Sequence, residues 1–137
     1  MRFTAIRSVF CISITILCIV SVFFTACESC ELVINEGMTP GAYFNRAQNA
    51  SQKGCYEVAI QYYEKFMEAY PNNVEKGVWA EYRIAFLQHK MGNDELSLEL
   101  LNALLNRYET DISGALPEAT KTLALKVKAN IEKKMQQ

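Results

Sequence analysis

The chain has 137 residues, half of them hydrophobic and 21% charged, with only six Gly and three Pro, which excludes wholesale disorder, collagen-like and low-complexity classes. Residues 1–26 read as a targeting segment that contains Arg2, Arg7 and no acid, so the remaining 111 residues, about one small domain, hold 12 basic against 15 acidic groups. A net charge of −3 on that domain argues against nucleic acid as a partner.

At the N-terminus, Arg2 and Arg7 precede an apolar run from Val9 to Phe24 interrupted only by Ser13, Thr15 and Ser21, the charged and apolar regions of a secretory signal. The following Phe24-Thr25-Ala26-Cys27 resembles the lipobox of bacterial lipoproteins, in which small residues precede a Cys that becomes the lipidated first mature residue. Phe24 departs from the aliphatic residue usual at its position. The resemblance implies a signal peptide over 1–26, a lipid on Cys27 and a short tether over 27–38. A diacylglyceryl group brings two acyl chains, the threshold for stable anchoring. The apolar run also approaches the length of a transmembrane helix, so an uncleaved anchor is the alternative and free secretion the third.

Of the five cysteines, Cys11 and Cys18 fall in the signal segment and Cys27 at the lipidation site. Cys30 and Cys55 remain, either as disulfide partners outside the cytoplasm or as two unpaired thiols. No zinc-type spacing is present.

From Thr39-Pro40 onward, a capping hydroxyl followed by Pro at the first helical position opens a series of helices. The apolar spacing predicts five, over about 40–52, 55–70, 75–91, 94–108 and 116–135, punctuated by Gly54, Pro71 and Gly92. In the second, Ala59, Tyr63, Phe66 and Tyr70 recur at intervals of four, three and four. The fifth has Leu116, Leu123, Val127 and Ile131 on one face and five lysines mostly elsewhere, the pattern of a cap with one wet side. No stretch alternates with period two, so the fold class is all-α.

Ala42-Tyr43-Phe44-Asn45-Arg46-Ala47 leads through Gly54 and Ala59 to Tyr70-Pro71, as Ala80-Glu81-Tyr82-Arg83-Ile84-Ala85 leads through Gly92 to Leu104 and Tyr108. The pairing resembles the tetratricopeptide repeat, a helix-turn-helix unit of 34 residues. Here the two units are offset by 38, and a capping helix follows. Ser97 stands where the second helix of the unit usually has Ala, and Gln88 where an aromatic is frequent. Because about three repeats normally bury a continuous core, two plus a cap leave room for self-association or a partner to complete it.

In this family the first helix of each unit lines a groove, which implies a site on 75–91. Trp79, Arg83, Phe86 and Lys90 recur there at intervals of four, three and four, with Tyr82 beside them and Phe44 and Gln48 as first-unit counterparts. Aromatic and cationic side chains in a stripe suit an extended peptide or helix. The alternative is that Tyr82 and Phe86 pack under the fifth helix. The carboxylate clamp of some tetratricopeptide domains is not reproduced, since its positions hold Tyr82 and Phe86. His89, the single histidine, has no acid or Cys at ligand spacing, and Asp94 and Glu95 read as acids favoured at a helix start.

With no phosphate loop, nucleophile elbow or paired carboxylates in sequence, no cofactor or metal is expected and an enzyme is only the remote third option. The reading is an adaptor lipoprotein of a bacterial envelope, facing the periplasm, with an envelope protein or peptide as partner. The alternative is the accessory lipoprotein of a tripartite substrate-binding transporter, with a closed apolar cavity under Trp79 in place of an open stripe.

Overall fold

The computed structural model describes residues 30–137; the signal segment 1–26 and Cys27 lie outside them. Among the described residues there are five helices and no strand: α1 (Pro40–Gln52), α2 (Tyr56–Ala69), α3 (Val74–Lys90), α4 (Asp94–Thr110) and α5 (Glu118–Met135).

The helix starts are written in local chemistry. Thr39 Oγ1 accepts the Ala42 N–H at 3.2 Å ahead of Pro40, and Asn73 Oδ1 accepts the Lys76 N–H at 3.2 Å ahead of α3. Within each helix pair the turn places a glycine in the left-handed region, Gly54 at φ +82° and Gly92 at φ +86°, where a side chain is disfavoured. A Cβ at either would meet open space, so the backbone angle and not crowding selects glycine. α5 begins at Glu118 rather than the expected 116. The cause is Pro117, which caps the helix start in the extended region and disfavours the helical conformation of the residue before it, while the Leu116 N–H is bound by the Asp111 carboxylate at 3.3 Å.

The helices form two layers, α1, α3 and α5 in one and α2 and α4 in the other, with each helix packed on its chain neighbours and α3 also on α5. α3 is buried on two sides. Ala80, Ile84 and Leu87 join Tyr43, Ala47, Ala59, Tyr63 and Phe66 in the first core cluster, while Val78, Tyr82 and Ala85 join Leu101, Leu104, Ala124, Val127 and Ile131 in the second. Ala47, Ala59, Ala80, Ala85 and Ala124 are fully buried, the small side chains that let helix axes approach closely.

The 38-residue register holds in three dimensions. Ala47 and Ala85 match, as do Gly54 and Gly92, and Ser97 occupies in the second pair the fully buried place of Ala59 in the first. Its hydroxyl donates to the Ala85 carbonyl at 2.8 Å, so a polar residue fits a core position because its one donor is satisfied.

Residues 30–38, expected as a tether, are docked. Leu32 and Met38 pack on the first cluster. The Val33 N–H donates to the Tyr62 hydroxyl at 2.9 Å, the Val33 carbonyl accepts from Arg46 at 2.6 Å, and the Tyr70 hydroxyl donates to the Met38 carbonyl at 2.6 Å. Cys30 and Cys55 are paired as a disulfide with a Cα–Cα distance of 5.9 Å, within the usual span for such a link. This strap closes the open side of the first helix pair, as α5 closes the second.

Candidate functional site

α1 and α3 border an open groove of about 320 Å³ lined by Phe44, Glu75, Lys76, Trp79 and Arg83. Three of these are sequence-expected site residues, brought together from two helices. Phe44 is half-buried, set edge-on against Tyr63 and Phe66 at 5.1 Å each, and the Lys76 ammonium lies 5.3 Å from its ring centroid. Trp79 meets Tyr82 edge-on at 6.2 Å, and Tyr82 stacks on Phe86 at 6.2 Å. Arg83 and Lys90 are exposed and lie over the rings of Tyr82 and Phe86, at 6.0 and 5.7 Å. The aromatic layer therefore sits inward and the cations outward, an arrangement that strengthens cation–ring attraction where the site is dried by a ligand.

Four expected residues, Tyr82, Gln48, Phe86 and Lys90, lie outside the groove lining. Tyr82 is only 6% exposed and belongs to the second core cluster beside Ala124, Val127 and Ile131 of α5, so it supports the stripe from beneath instead of presenting a contact surface. Gln48 is exposed one turn along α1 from Phe44 and is not part of the groove lining. Phe86 is half-buried against the same cluster, while Lys90 stands toward the far end of α3. Burial raises the Tyr82 and Tyr63 hydroxyls above the ordinary phenol value, with the nearby Arg83 charge opposing it. Both stay neutral.

Lys76 and Glu75 line the groove as well and were not among the expected site residues. The available signal was their place one turn before Trp79 at the start of the helix carrying the stripe. His89 makes a contact that its neighbours in sequence do not announce. Its Nδ1 lies 2.5 Å from Asp94 Oδ1, and Asp94 Oδ2 accepts from Lys134 at 2.7 Å. The Gly92 turn folds α4 back on α3, so a separation of five residues becomes direct contact. The Lys134 and His89 hydrogen bonds hold the Asp94 carboxyl below the ordinary carboxylate range, and the triad clamps the end of α5 onto the α3–α4 turn. No group of three potential metal ligands occurs among the described residues.

Charge divides by layer. α1, α3 and α5 have net formal charges of +1, +1 and +3, the last from five lysines against Glu118 and Glu132. α2 carries Glu57, Glu64 and Glu68 against Lys65, a net −2, and α4 carries Asp94, Glu95, Glu99 and Glu109 against Arg107, a net −3. The layer that holds the groove is therefore basic and the opposite layer acidic.

Antiparallel helix pairs in 38-residue register, a capping helix and an open aromatic-cationic groove define a helical-repeat interaction module. Tetratricopeptide-repeat models match residues 40–73 and 79–110, each covering one helix pair, and the chain belongs to the tetratricopeptide-repeat proteins. It is similar to an uncharacterized protein of Treponema pallidum (strain Nichols), 31% identical over 105 residues that make up 75% of this chain and 42% of that protein. The chain thus spans less than half the length of this curated relative. No solved structure matches it.

Proposed function

We propose that the protein is a membrane-anchored adaptor of a bacterial envelope, tethered through a lipid on Cys27, that binds a segment of another envelope protein along the α1–α3 groove. The observation that carries the binding reading is the convergence of Phe44, Trp79, Lys76 and Arg83 on one open groove. Large rings with adjacent cations give contact area and polar handles at small entropic cost. An open groove favours an extended or helical segment, whereas a transporter accessory that houses a small solute calls for an enclosed cavity.

The anchoring half rests on the sequence of residues 1–27 and its likeness to lipoproteins. Cys30 follows Cys27 by three positions, with Glu28 and Ser29 between, at most about 10 Å of extended chain. A lipid there would hold the Cys30–Cys55 end of the helix pair against the bilayer.

The deciding experiment places a photo-crosslinking amino acid at 79, 83 or 90 of the full-length protein in cells and identifies the adducts by mass spectrometry. One dominant envelope-protein adduct is expected. Self-adducts alone, or none, would turn the reading toward an oligomer or a small-ligand role. The mass of the mature N-terminus, and its change in Cys27→Ser, tests the anchor separately.

A further inference from the structure

A second groove lies on the opposite layer. Where α2 and α4 run together over α3, Met67, Ile84, Leu100, Ala103 and Leu104 floor an open depression of about 330 Å³. Glu64, Glu81 and Arg107 stand around it. Leu96, 41% exposed, extends the apolar line: Leu96, Leu100 and Ala103 recur along α4 at intervals of four and three, and Arg107 stands one turn beyond them. With a rise of 1.5 Å per residue the groove face from Leu96 to its charged end at Arg107 is about 16 Å long, three helical turns.

The uncompensated charge around this stripe is negative. Arg107 is consumed by its ion pair with Glu81, whereas Glu64, Glu95 and Glu99 make no ion pair among the described residues, and α2 and α4 both carry net negative charge. An anionic lipid surface or nucleic acid meets repulsion here. A second copy of the chain offers its basic α5, but that helix buries Ala124, Val127 and Ile131 against its own core and leaves Leu125 and Met135 as its exposed large apolar residues. It has no apolar face to lay in the groove.

We propose that the α2–α4 groove is a second docking site, taking an amphipathic helix of about three turns whose apolar face is flanked by lysine or arginine. Apolar anchors at successive turns would seat against Leu96, Leu100 and Met67, and flanking cations would meet Glu64 and Glu99. The site is independent of the α1–α3 groove, which lies on the opposite layer and has the opposite charge. One domain then holds two chemically different segments at once, an adaptor through both faces.

The test uses the full-length protein in phosphatidylcholine nanodiscs, with empty discs as the blank, and two fluorescein-labelled helical peptides of identical leucine pattern, one flanked by lysines and one by glutamates. Anisotropy should show saturable binding of the lysine peptide, about tenfold or more tighter than its glutamate twin and weaker at high salt. Ala103→Arg places a long side chain across the groove at an exposed helix position that accepts it, and should weaken binding about tenfold. Glu64→Lys should weaken it too, and Arg83→Glu on the other face should leave it unchanged. Absence of saturable binding, equal binding of the twins, or sensitivity to Arg83→Glu with indifference to Ala103→Arg overturns the proposal. So does sedimentation showing a dimer that Ala103→Arg disperses, because the occupant is then a second copy. Crosslinks from position 79 report on the first groove alone, so the two readings fail separately.

Discussion

Ser97 donates its hydroxyl to the Ala85 carbonyl at 2.8 Å across the contact between α3 and α4. Both residues are fully buried, and they occupy in the second helix pair the positions that Ala59 and Ala47 hold in the first. The bond ties the side chain of one helix to the backbone of the other, so it orients the pair as well as filling space.

Substituting Ser97 separates those two roles. Ser97→Ala keeps the volume and loses one net hydrogen bond, an expected cost of about 1 kcal/mol. Ser97→Leu forces the helices apart and should cost about 1–3 kcal/mol, more than the alanine variant. Urea unfolding of both variants gives the comparison, and a leucine variant as stable as the alanine one would show that the contact is not tight.

Reduction of Cys30–Cys55 should loosen the strap before it unfolds the repeats. The link closes a loop with a sequence separation of 25, for which chain entropy alone gives about 3.5 kcal/mol. The Val33 amide, bonded to the Tyr62 hydroxyl, should lose hydrogen-exchange protection on adding reductant, while the amides of α4 keep theirs. Equal loss in both places would mean that strap and repeats form a single cooperative unit.

Acid should release the end of α5. Lys134 and His89 lower the Asp94 pKa in the folded state, so its contribution to stability is present above the unfolded carboxyl value near 3.9 and is lost as pH falls through the lower folded value. Asp94→Asn should therefore reduce stability at neutral pH and flatten its dependence below about pH 4. Thermal unfolding of both proteins from pH 2 to 7 measures the slope, and parallel curves would remove Asp94 from the account.

Neighbours on α3 should divide cleanly between structure and binding. Tyr82→Ala empties a core position and should cost about 3 kcal/mol or more. Arg83→Glu, on an exposed site, should stay within about 0.5 kcal/mol of the parent while abolishing the crosslinked adduct obtained from position 79. Retention of that adduct in Arg83→Glu would remove the cation from the recognition scheme.

Much of the architecture is legible along the chain because its determinants are local. Thr39-Pro40, Gly54, Pro71 and Gly92 mark helix ends by capping and backbone preference, and the helix bounds lie within two residues of those expected from apolar spacing. Repetition did the rest: Ala47 with Ala85, and Gly54 with Gly92, disclose a helix pair made twice. The Trp79, Arg83, Phe86 and Lys90 stripe was equally visible, since one helix face is a matter of spacing alone.

What the residues could not disclose along the chain is which of two faces a neighbour covers. Tyr82 and Phe86 differ by one turn, yet only the docking of α5 makes the first a core residue and leaves the second half open. The strap over 30–38 has no periodicity to read, because it is held by side chains 13 to 32 residues away whose partners are its main-chain atoms. His89 and Asp94 meet only once the Gly92 turn reverses the chain. Local bonding and spacing determine where helices begin, end and repeat; the packing of distant helices decides which side chains remain at the surface to bind.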